Sequence, residues 1–520
     1  MIKDLRHWLD ALEANALLTR HKQKIDVRNC PQIIFDNFRT ATLFEDIQDY
    51  SMPVVANAFS SRQMMALALE TTEDKILSEY QARILKPIPP VFSNSNGRCQ
   101  EVVNTKADEV DLTKLPILLQ HEFDGGPYIT ASVVLAKDPE TTEFNIGIYR
   151  LMFRSKDELG INITAPHKLR WFYQKALQKS KPLEVAVCIG LHTLDYLAAV
   201  TTSPEGTDEL ALWGGLQKEG IRMVKCKTID LHVPEHAEFV LEARIDPMGW
   251  VEPEGMYGEF PGTYSGMRRN PFLKIQAITS RKDPIYQSAT HGGKHLAWTD
   301  FFVLIPQIEL SISQALKSTG VDVRQVRILE ESAGMICYVS IQARSIGDSK
   351  NALYAVLTGS RQNFPKYCVV VDSDIDVFDD EAIAWAISTR TQPREASTVL
   401  EGLRIPSSSD PSLATGVRTM SKLGIDATIP FDADRSRFLY SKPPRFQIDL
   451  LREKRITREK SVEERIRNLL SEGGPKFFYE IASIFQDESF RDILLSWSRL
   501  KETGEIGQGM DGKYVLRERS

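Results

Sequence analysis

The sequence lacks three features that would place it in common classes of protein. Its six cysteines are scattered, with no CxxC pair, so neither a zinc site nor a disulfide framework is expected. No apolar run approaches the roughly 20 residues that span a bilayer, and the N-terminal segment lacks the apolar core of a signal peptide. The net charge of -6 gives no electrostatic reason to bind nucleic acid or an anionic membrane. We therefore expect a cytoplasmic protein with no nucleic-acid or membrane partner.

Length and composition indicate a multi-domain globular protein. With 520 residues, the chain is too long for a single hydrophobic core, and about two to four domains are expected. Hydrophobic residues make up 42% and charged residues 26%, as in ordinary folded proteins. The pattern along the chain predicts four regions: an α/β domain (1–115), a strand-rich domain (116–305), a second α/β domain (306–455) and a short helical extension (456–520).

The first two regions differ in their hydrophobic periodicity. Apolar residues at helical spacing predict helices over Asp4–Glu13 and Ser60–Leu69, the second capped by Ser60 or Ser61. Between 116 and 305, runs of β-branched and apolar residues predict a mostly antiparallel sheet or barrel. Its predicted strands are Ile129–Ala136, Phe144–Phe153, Leu183–Gly190, Glu238–Ile245 and Phe272–Ile278.

The segment Glu254–Glu259 (EGMYGE) carries two carboxylates around two glycines. Because Gly tolerates positive φ, the segment is expected to bend and to direct both carboxylates toward one site. Paired carboxylates in a partly dry pocket can divide their roles, one holding a proton while the other stays charged. An isolated motif of this kind is more often a polar turn that faces water, so the neighbouring candidates decide the interpretation.

Three further residues supply donors for a divalent cation. Asn145 offers an amide oxygen, His167 an imidazole near a predicted helix N-terminus, and Glu209 a carboxylate in a first helical turn. This mixed set suits Mn²⁺ or Mg²⁺ held between protein and a phosphate, although each residue alone is more often an ordinary surface or capping residue. Arg150 follows Asn145 closely, but in a regular strand the two would point to opposite faces unless Gly147 forms a bulge.

Two histidine pairs need separate interpretations. His232 and His236 have the spacing of a helical metal pair, but the proline between them breaks the helix, so we predict that both lie at the surface. His291 and His295 lie in a glycine-containing loop after a predicted strand. That loop either lines a substrate pocket or forms an ordinary turn, and the residues leave both interpretations open.

The third region returns to an α/β pattern. A helix is predicted over Pro306–Ser318, with the proline in its first turn. A buried strand is predicted over Tyr367–Asp372, and Lys366, directly before it, could reach a phosphate as a compact charge.

The extension has the outline of a winged-helix module. Val462–Leu470, Lys476–Phe485 and Phe490–Glu502 are predicted helices, and Gly504–Leu516 is a predicted hairpin that turns at Asp511-Gly512. Residues 456–520 contain 11 Lys/Arg and 12 Asp/Glu, so the basic bias of a DNA-binding module is missing. We therefore predict a packing or oligomerisation appendage, and a DNA-binding regulator is disfavoured.

Taken in chain order, these segments resemble the UbiD family of decarboxylases, which use prenylated FMN. The matching motifs are NIGIYR at 145–150, APH at 165–167, the Glu of TDELALWGG, EGMYGE at 254–259 and the strand that follows Lys366. The resemblance covers roughly residues 5–450 and does not include the extension. It implies an FMN-binding split β-barrel between an N-terminal α/β domain and a C-terminal α/β oligomerisation domain.

The resemblance also implies roles for individual residues. Asn145, His167 and Glu209 would bind a Mn²⁺ that bridges the cofactor phosphate, with K⁺ as a further candidate cation. Glu254, Arg150 and Glu259 would form the family's proton network, in which Arg150 places the substrate carboxylate and Glu259 donates the proton. The remaining residues implied to contact the prenylated flavin or its phosphate are Ile148, Tyr149, Pro166 and Lys366.

The implied reaction is the reversible, non-oxidative decarboxylation of an aromatic, heteroaromatic or α,β-unsaturated carboxylic acid, with release of CO₂. Loss of CO₂ from an sp² carbon leaves a carbanion that no side chain stabilises, so a cofactor must act as the electron sink. In the family this occurs through a covalent adduct between substrate and prenylated flavin. The family further implies a flavin prenyltransferase as the supplier of cofactor and a homo-oligomer, either a dimer or a hexamer.

Two other functions stay open. One is decarboxylation of an aryl-CoA thioester, which would require a longer and more basic entrance. The other is a non-catalytic flavin-binding subunit. Retention of Arg150, Glu254 and Glu259 argues against the second, because a protein that only binds the cofactor has no need of a proton network.

Overall fold

The structure is a computed structural model of the chain. It describes residues 3–164, 167–202, 207–290, 299–359, 364–404, 410–413, 417, 419–438, 440–441, 443–444, 446, 460–486 and 488–517. Within 299–359, side chains are described from residue 302 onward. The chain forms two compact units, Met1–Ala433 and Asp434–Ser520.

The first unit begins with a small α/β layer. Its elements are α1 (Leu5–Ala14), β1 (Leu18–His21), α2 (Cys30–Asp36), β2 (Ala41–Phe44), β3 (Val54–Ala56), α3 (Arg62–Ala68) and α4 (Ile76–Ile84). Both predicted helices are present, and the predicted cap of the second is Ser61, whose side chain accepts from Met64 N. The cap of the first helix, which was not predicted, is Asp4, whose side chain accepts from His7 N. Helix α1 buries its apolar face because Leu5, Trp8, Leu9 and Leu12 share one side.

The middle of the first unit is strand-rich, as predicted. Its elements are β4 (Val91–Ser93), β5 (Val102–Asn104), β6 (Tyr128–Ile129), β7 (Ser132–Lys137), β8 (Phe144–Ile148), β9 (Leu151–Ser155), β10 (Glu158–Ile161), α5 (Lys168–Gln178), β11 (Leu183–Ile189), α6 (Thr193–Val200), α7 (Glu209–Gln217), β12 (Arg222–Lys225), β13 (His232–Pro234), β14 (Phe239–Ile245), β15 (Glu252–Glu254), β16 (Arg268–Asn270), β17 (Phe272–Ser280) and β18 (Tyr286–Ser288). Strand β18 joins the N-terminal sheet, whose order is β1-β2-β3-β18.

Nine of these strands form one antiparallel sheet that curls into a half-barrel. Its order is β6-β9-β10-β17-β14-β11-β7-β8, with β5 paired to β17. Strands β8 and β9 follow each other in the chain, separated only by Tyr149 and Arg150, yet they lie near opposite ends of this order. A flat sheet would hold them several strand spacings of about 4.8 Å apart. The sheet therefore curves until its two ends come within reach of this short link.

The predicted single strand Phe144–Phe153 is thus wrong in one respect. It is two strands, broken at Tyr149-Arg150 where the chain crosses from one end of the sheet to the other. The bulge at Gly147, which the sequence left as a condition for Asn145 and Arg150 to share a face, is absent, because β7 and β8 pair in regular register with Gly147 opposite Val134. Gly147 instead makes room for a side chain, since a Cβ there would lie 2.6 Å from the Tyr149 ring.

Apolar residues cover both faces of the half-barrel. In β7, Val133 and Leu135 belong to one buried cluster while Val134 and Ala136 belong to another. Because successive strand residues point to opposite faces, a continuous apolar run such as SVVLA indicates a sheet that is buried on both sides.

The last part of the first unit is a second α/β layer. Its elements are α8 (Thr299–Lys317), β19 (Asp322–Ile328), β20 (Ile336–Gln342), α9 (Asp348–Gly359), β21 (Tyr367–Asp372), α10 (Asp380–Arg390), α11 (Pro393–Ala396), β22 (Ser397–Arg404) and β23 (Thr419–Ala427). Their sheet has the order β19-β20-β21-β23-β22. Helix α8 starts before the predicted Pro306, which lies inside the helix. The mixed α/β, multi-domain fold with a curled central sheet is confirmed, and the domain boundaries stay a prediction.

The second unit contains the predicted three helices and hairpin. These are α12 (Val462–Gly473), α13 (Phe478–Ile484), α14 (Phe490–Glu502), β24 (Ile506–Gln508) and β25 (Tyr514–Leu516). A separate apolar core holds them together, with Ile466, Ile481, Ile493 and Leu500 fully or almost fully buried. Across the described part of both units, no helix is long and apolar enough to cross a membrane.

Candidate active site

Arg150 lies in the short link between β8 and β9, which crosses the gap between the two ends of the half-barrel. Its Nε donates to Glu254 Oε1 at 2.7 Å and its Nη2 to Glu254 Oε2 at 2.8 Å, a bidentate pair. Its Nη1 donates to Glu259, and the ring of Tyr257 packs 4.5 Å from the guanidinium carbon. The structure therefore brings together the three residues for which the family resemblance implied a proton network.

Burial and hydrogen bonding have opposite effects on the pKa of the Arg150 guanidinium. Burial alone disfavours its charge, but the hydrogen bonds with Glu254 and the negative charge of Glu259 outweigh that effect and raise the pKa of Arg150 above its usual value. The guanidinium is a fixed positive charge at the site.

The two glutamates differ in how firmly they are held. The Glu254 side chain is fully buried and accepts a third hydrogen bond, from Asn162 Nδ2 at 2.9 Å. The Glu259 side chain is 15% exposed and pairs with Arg150. Glu254 therefore accepts three N–H donors in a fully buried position, and Glu259 is the carboxylate with access to solvent.

The EGMYGE segment is held against residues 121–125. Gly258 N donates to Asp124 Oδ1 at 2.8 Å, and Gly125 N donates to Met256 O at 2.8 Å. A Cβ on Gly255 would lie 2.4 Å from Gly125 Cα. Neither Gly255 nor Gly258 has positive φ, so the prediction that these glycines are needed for a left-handed backbone was wrong. They are needed because neighbouring groups approach too closely for a Cβ.

The candidate metal ligands Asn145 and Glu209 also meet. Asn145 Nδ2 lies 3.4 Å from Glu209 Oε2, which accepts from Ile146 N at 2.9 Å. Asn145 Oδ1 accepts from the Tyr149 hydroxyl at 3.2 Å. Asp208 caps helix α7, which places Glu209 in the first turn as predicted. The two residues thus present amide and carboxylate oxygens within one small region.

His167, the third candidate ligand, is the N-cap residue of α5. Its ring centroid lies 6.5 Å from that of Tyr149, whose hydroxyl donates to Asn145 Oδ1. Partial burial of the imidazole lowers the pKa of His167 and favours the neutral form that binds metals.

The next residue, Lys168, already supplies a cation to this region. Its Nζ lies 2.7 Å from Glu209 Oε1 and 2.7 Å from Glu143 Oε1. The donor types at 145, 167 and 209 fit a divalent ion. One of the three, Asn145, supplies an amide oxygen, so only two of them are His, Cys, Asp or Glu. In the part of the chain that the structure describes, no three His, Cys, Asp or Glu side chains are grouped to hold a metal.

The remaining predicted residues have other outcomes. Lys366 Nζ pairs with Asp410 Oδ2 at 3.0 Å and with Ser412 Oγ at 2.7 Å, and its predicted contact with a phosphate stays a prediction. Ile148 ends β8, directly before the link that carries Arg150. Pro166, His291 and His295 lie outside the described residues.

The prediction that His236 lies at the surface was wrong. The residue is 3% exposed, and its Nε2 lies 3.0 Å from Asp195 Oδ2. Asp195 is fully buried and also accepts from Trp213 Nε1 and Gln217 Nε2, each at 2.6 Å. The proline did exclude a helix, but the short strand β13 that replaces it leads the chain into the core.

Sequence reasoning missed three residues of the site. Asn162 and Asp124 support Glu254 and Gly258 across long sequence separations, and nothing in their local pattern marks them. Lys168 had a visible signal, because a lysine in the first turn of a helix opposes the helix dipole and needs a local anion.

Three domain descriptions of one family match this chain. The N-terminal, Rift-related and C-terminal domains of UbiD, 3-octaprenyl-4-hydroxybenzoate carboxy-lyase, match residues 9–84, 91–295 and 304–427. Together they cover most of the first structural unit and stop short of the second.

Individual relatives agree with this assignment. The anhydromevalonate phosphate decarboxylase of Methanothermobacter thermautotrophicus is 31% identical over 431 residues, covering 82% of this chain and 97% of its own. The phenolic acid decarboxylase of Sedimentibacter hydroxybenzoicus is 32% identical over 455 residues, covering 82% of this chain and 92% of its own.

Solved structures of one enzyme are similar in fold. HmfF from Pelotomaculum thermopropionicum, a UbiD-class enzyme in complex with FMN, has a TM-score of 0.79 and 31% identity, covering 85% of this chain and 98% of its own. An evolved dimeric form of the same enzyme, in complex with prFMN, has a TM-score of 0.74 and 31% identity, covering 83% of this chain and 96% of its own.

Proposed function

Because the chain belongs to the UbiD family and is a carboxy-lyase of that family, we propose that it decarboxylates an aromatic, heteroaromatic or α,β-unsaturated carboxylic acid with prenylated FMN as cofactor. The relatives named phenolic acid decarboxylase and anhydromevalonate phosphate decarboxylase support an acid substrate. The FMN and prFMN complexes of HmfF support the cofactor.

The observation that carries the proposal is the placement of Arg150 between Glu254 and Glu259 at the gap in the half-barrel. Glu254 engages the Nε and Nη2 edge of the guanidinium, and Glu259 engages Nη1. A guanidinium presents a planar fork with further N–H groups, which suits a substrate carboxylate. In this proposal, Glu254 fixes the orientation of Arg150, and Arg150 orients the carboxylate that will leave as CO₂.

Glu259 is the proton donor in this proposal. It is held less firmly than Glu254, and its partial exposure allows it to regain a proton from solvent between turnovers. A positioned general acid of this kind contributes about 10²–10⁴-fold to a rate. The proton goes to the carbon that loses CO₂, and Arg150 stabilises the glutamate anion that remains.

The cofactor would be held by the link and by the cation site beside it. When bound, a prenylated flavin supplies the electron sink that side chains lack. Asn145, His167 and Glu209 would hold Mn²⁺ against the flavin phosphate, and K⁺ is a further candidate. The residues proposed to contact the flavin or its phosphate are Ile148, Tyr149, Arg150, Pro166 and Lys366.

Two variants test this function with separate readouts. The chain is co-expressed with a flavin prenyltransferase, supplied with Mn²⁺, and assayed for released flavin mass and for CO₂ release from a panel of carboxylic acids. We expect Glu259→Gln to retain the prenylated flavin but to lose turnover by about 10²-fold or more. We expect Glu209→Ala to lose the flavin itself.

Glu472→Gln is a suitable control, because Glu472 is exposed in α12 of the second unit and is not one of the residues assigned to the proposed site. Full turnover in Glu259→Gln would remove the proton-donor role. No flavin in the unsubstituted protein would remove the cofactor and with it the proposed function.

A further inference from the structure

Lys168 occupies an electrostatically unfavourable position in its own helix. It is the first residue of α5, where the helix dipole is positive, and α5 has no acidic residue in its first turn. Its stabilisation comes from outside the helix, from Glu143 before β8 and from Glu209 at the start of α7. The side chains of Lys168, Glu143 and Glu209 are 25%, 40% and 9% exposed, so the ammonium bridges a buried carboxylate and a more accessible one.

Glu209 is fully engaged in this arrangement. Its Oε2 accepts from the backbone of Ile146 and approaches Asn145 Nδ2, while its Oε1 holds the Lys168 ammonium. A divalent cation that binds Glu209 together with Asn145 and His167 therefore meets a positive charge already in place. The two cations would repel each other, and solvent screens this repulsion only in part because Lys168 is 25% and Glu209 9% exposed.

We propose that Lys168 is an internal counter-ion that is displaced when a divalent cation binds. In the metal-free protein the ammonium neutralises Glu209. When Mn²⁺ binds, the ammonium leaves Glu209 and stays with Glu143, the carboxylate that already holds it at 2.7 Å. No bond is made or broken beyond this exchange of ion pairs. The inference rests on the metal site in the proposed function, and it assigns roles to two residues that the metal site itself does not include.

Displacement predicts opposite effects for the two partners. Lys168→Met removes the competing cation, so Mn²⁺ affinity rises by about tenfold or more. Glu143→Gln removes the carboxylate that receives the ammonium, so Lys168 stays on Glu209 and Mn²⁺ affinity falls. In the Lys168→Met background there is no ammonium to receive, so Glu143→Gln has no further effect.

The experiment titrates Mn²⁺ alone into purified, metal-stripped and flavin-free full-length protein, with calorimetry and the electron paramagnetic resonance signal of free Mn²⁺ as readouts. The four proteins are the unsubstituted chain, the two single variants and the double variant, which form a double-mutant cycle. Lys175→Met is the matched control, because Lys175 lies on the same helix and pairs with Asp138 Oδ2 at 2.6 Å. Its Mn²⁺ affinity should not change.

Each outcome decides the inference. Unchanged affinity in Lys168→Met overturns it, and so does an equal loss from Glu143→Gln in both backgrounds, which would indicate simple charge attraction without displacement. Binding in Lys168→Met but not in the unsubstituted chain supports it. If none of the proteins binds Mn²⁺, the inference fails, because the exchange of ion pairs requires that the protein's own ligands bind the cation; the proposed metal site is then tested separately by loss of flavin in Glu209→Ala. If the unsubstituted chain binds and the cycle is flat, only the inference fails.

Discussion

Ion pairs that involve the buried carboxylates of Asp4 and Glu238 anchor the N-terminal helix α1 to the central sheet. Arg6 makes a bidentate pair with Glu238, at 2.9 and 3.0 Å. Asp4 caps α1 through His7 N and also accepts from Arg281 Nη1 at 3.2 Å. Both anchors join residues more than two hundred positions apart, and they fix the layer that packs beside the half-barrel.

Asp4 should make the stability of the protein depend on acid pH. Burial alone would raise its pKa, but hydrogen bonds from His7 and Arg281 outweigh burial and lower the pKa of Asp4 from 3.8 to about 2. Because the folded pKa lies below the unfolded one, this stability is present above pH 3.8 and is lost as the pH falls toward 2.

The check compares thermal midpoints of the unsubstituted chain and Asp4→Asn at pH 6 and at pH 2.5. Asn keeps the capping oxygen, so the variant should be less stable by about 1–2 kcal/mol at pH 6, and the difference should shrink at pH 2.5. An equal difference in stability between the two proteins at both pH values would mean that the charge of Asp4 does not stabilise the fold.

Residue chemistry could be read from the sequence where the signal was local. Two carboxylates around a glycine segment and the donors at Asn145 and Glu209 were visible in the residue types. The supports of these groups were not, because Asn162 and Asp124 act on residues about a hundred positions away. His236 was misjudged for the same reason, since its partner Asp195 cannot be inferred from neighbouring positions.

At the scale of elements, the EGMYGE segment is shaped by what lies against it. Gly255 faces Gly125 so closely that a Cβ would lie 2.4 Å from its Cα. The contact and the hydrogen bond from Gly258 N to Asp124 hold the segment in register with residues 121–125. The positions of Glu254 and Glu259 around Arg150 depend on this packing.

Gly255→Ala should therefore impair the site by moving the segment. The added methyl group cannot be accommodated without a shift of backbone, and a displacement of about 1 Å at a catalytic group can cost about 10²-fold in rate. Gly266→Ala is the matched control, because Gly266 has nothing within 4 Å of an added Cβ. Decarboxylation rates and far-ultraviolet circular dichroism would be measured for both. Full activity in Gly255→Ala would show that the segment tolerates the shift.

Elements were predicted well where periodicity was strong and poorly where the chain changes direction. Helix α1, the cap of α3 and the apolar run of β7 were all evident. The break at Tyr149-Arg150 was not, because both flanking segments are apolar and β-like and only tertiary pairing separates them. Pro306 was placed at a helix start, but α8 continues through it.

At the scale of the whole molecule, all of the proposed site residues lie in the first of the two compact units. Arg150, Glu254, Glu259 and the candidate cation ligands all lie in Met1–Ala433, and the family match ends at residue 427. The second unit has its own apolar core. The sequence predicted this addition from its change of pattern.

Removal of residues 456–520 should leave the proposed chemistry intact. The truncated protein is expected to bind the prenylated flavin and to turn over at the rate of the full chain, because no proposed site residue is lost. Light scattering on both proteins would report whether the oligomeric state changes, as an oligomerisation appendage requires. Loss of flavin on truncation, with the fold retained by circular dichroism, would contradict the separation of roles.

Because the two-residue link joins β8 to β9, the site can assemble only when both ends of the half-barrel are folded. Its guanidinium can meet Glu254 and Glu259 only after strands from both ends of the half-barrel have taken their places. A chain with one end of the sheet unformed would hold the right residues but no assembled network, so graded activity is not expected from partly folded molecules. In refolding experiments, activity should return with the last phase of sheet formation, and earlier recovery would contradict this dependence.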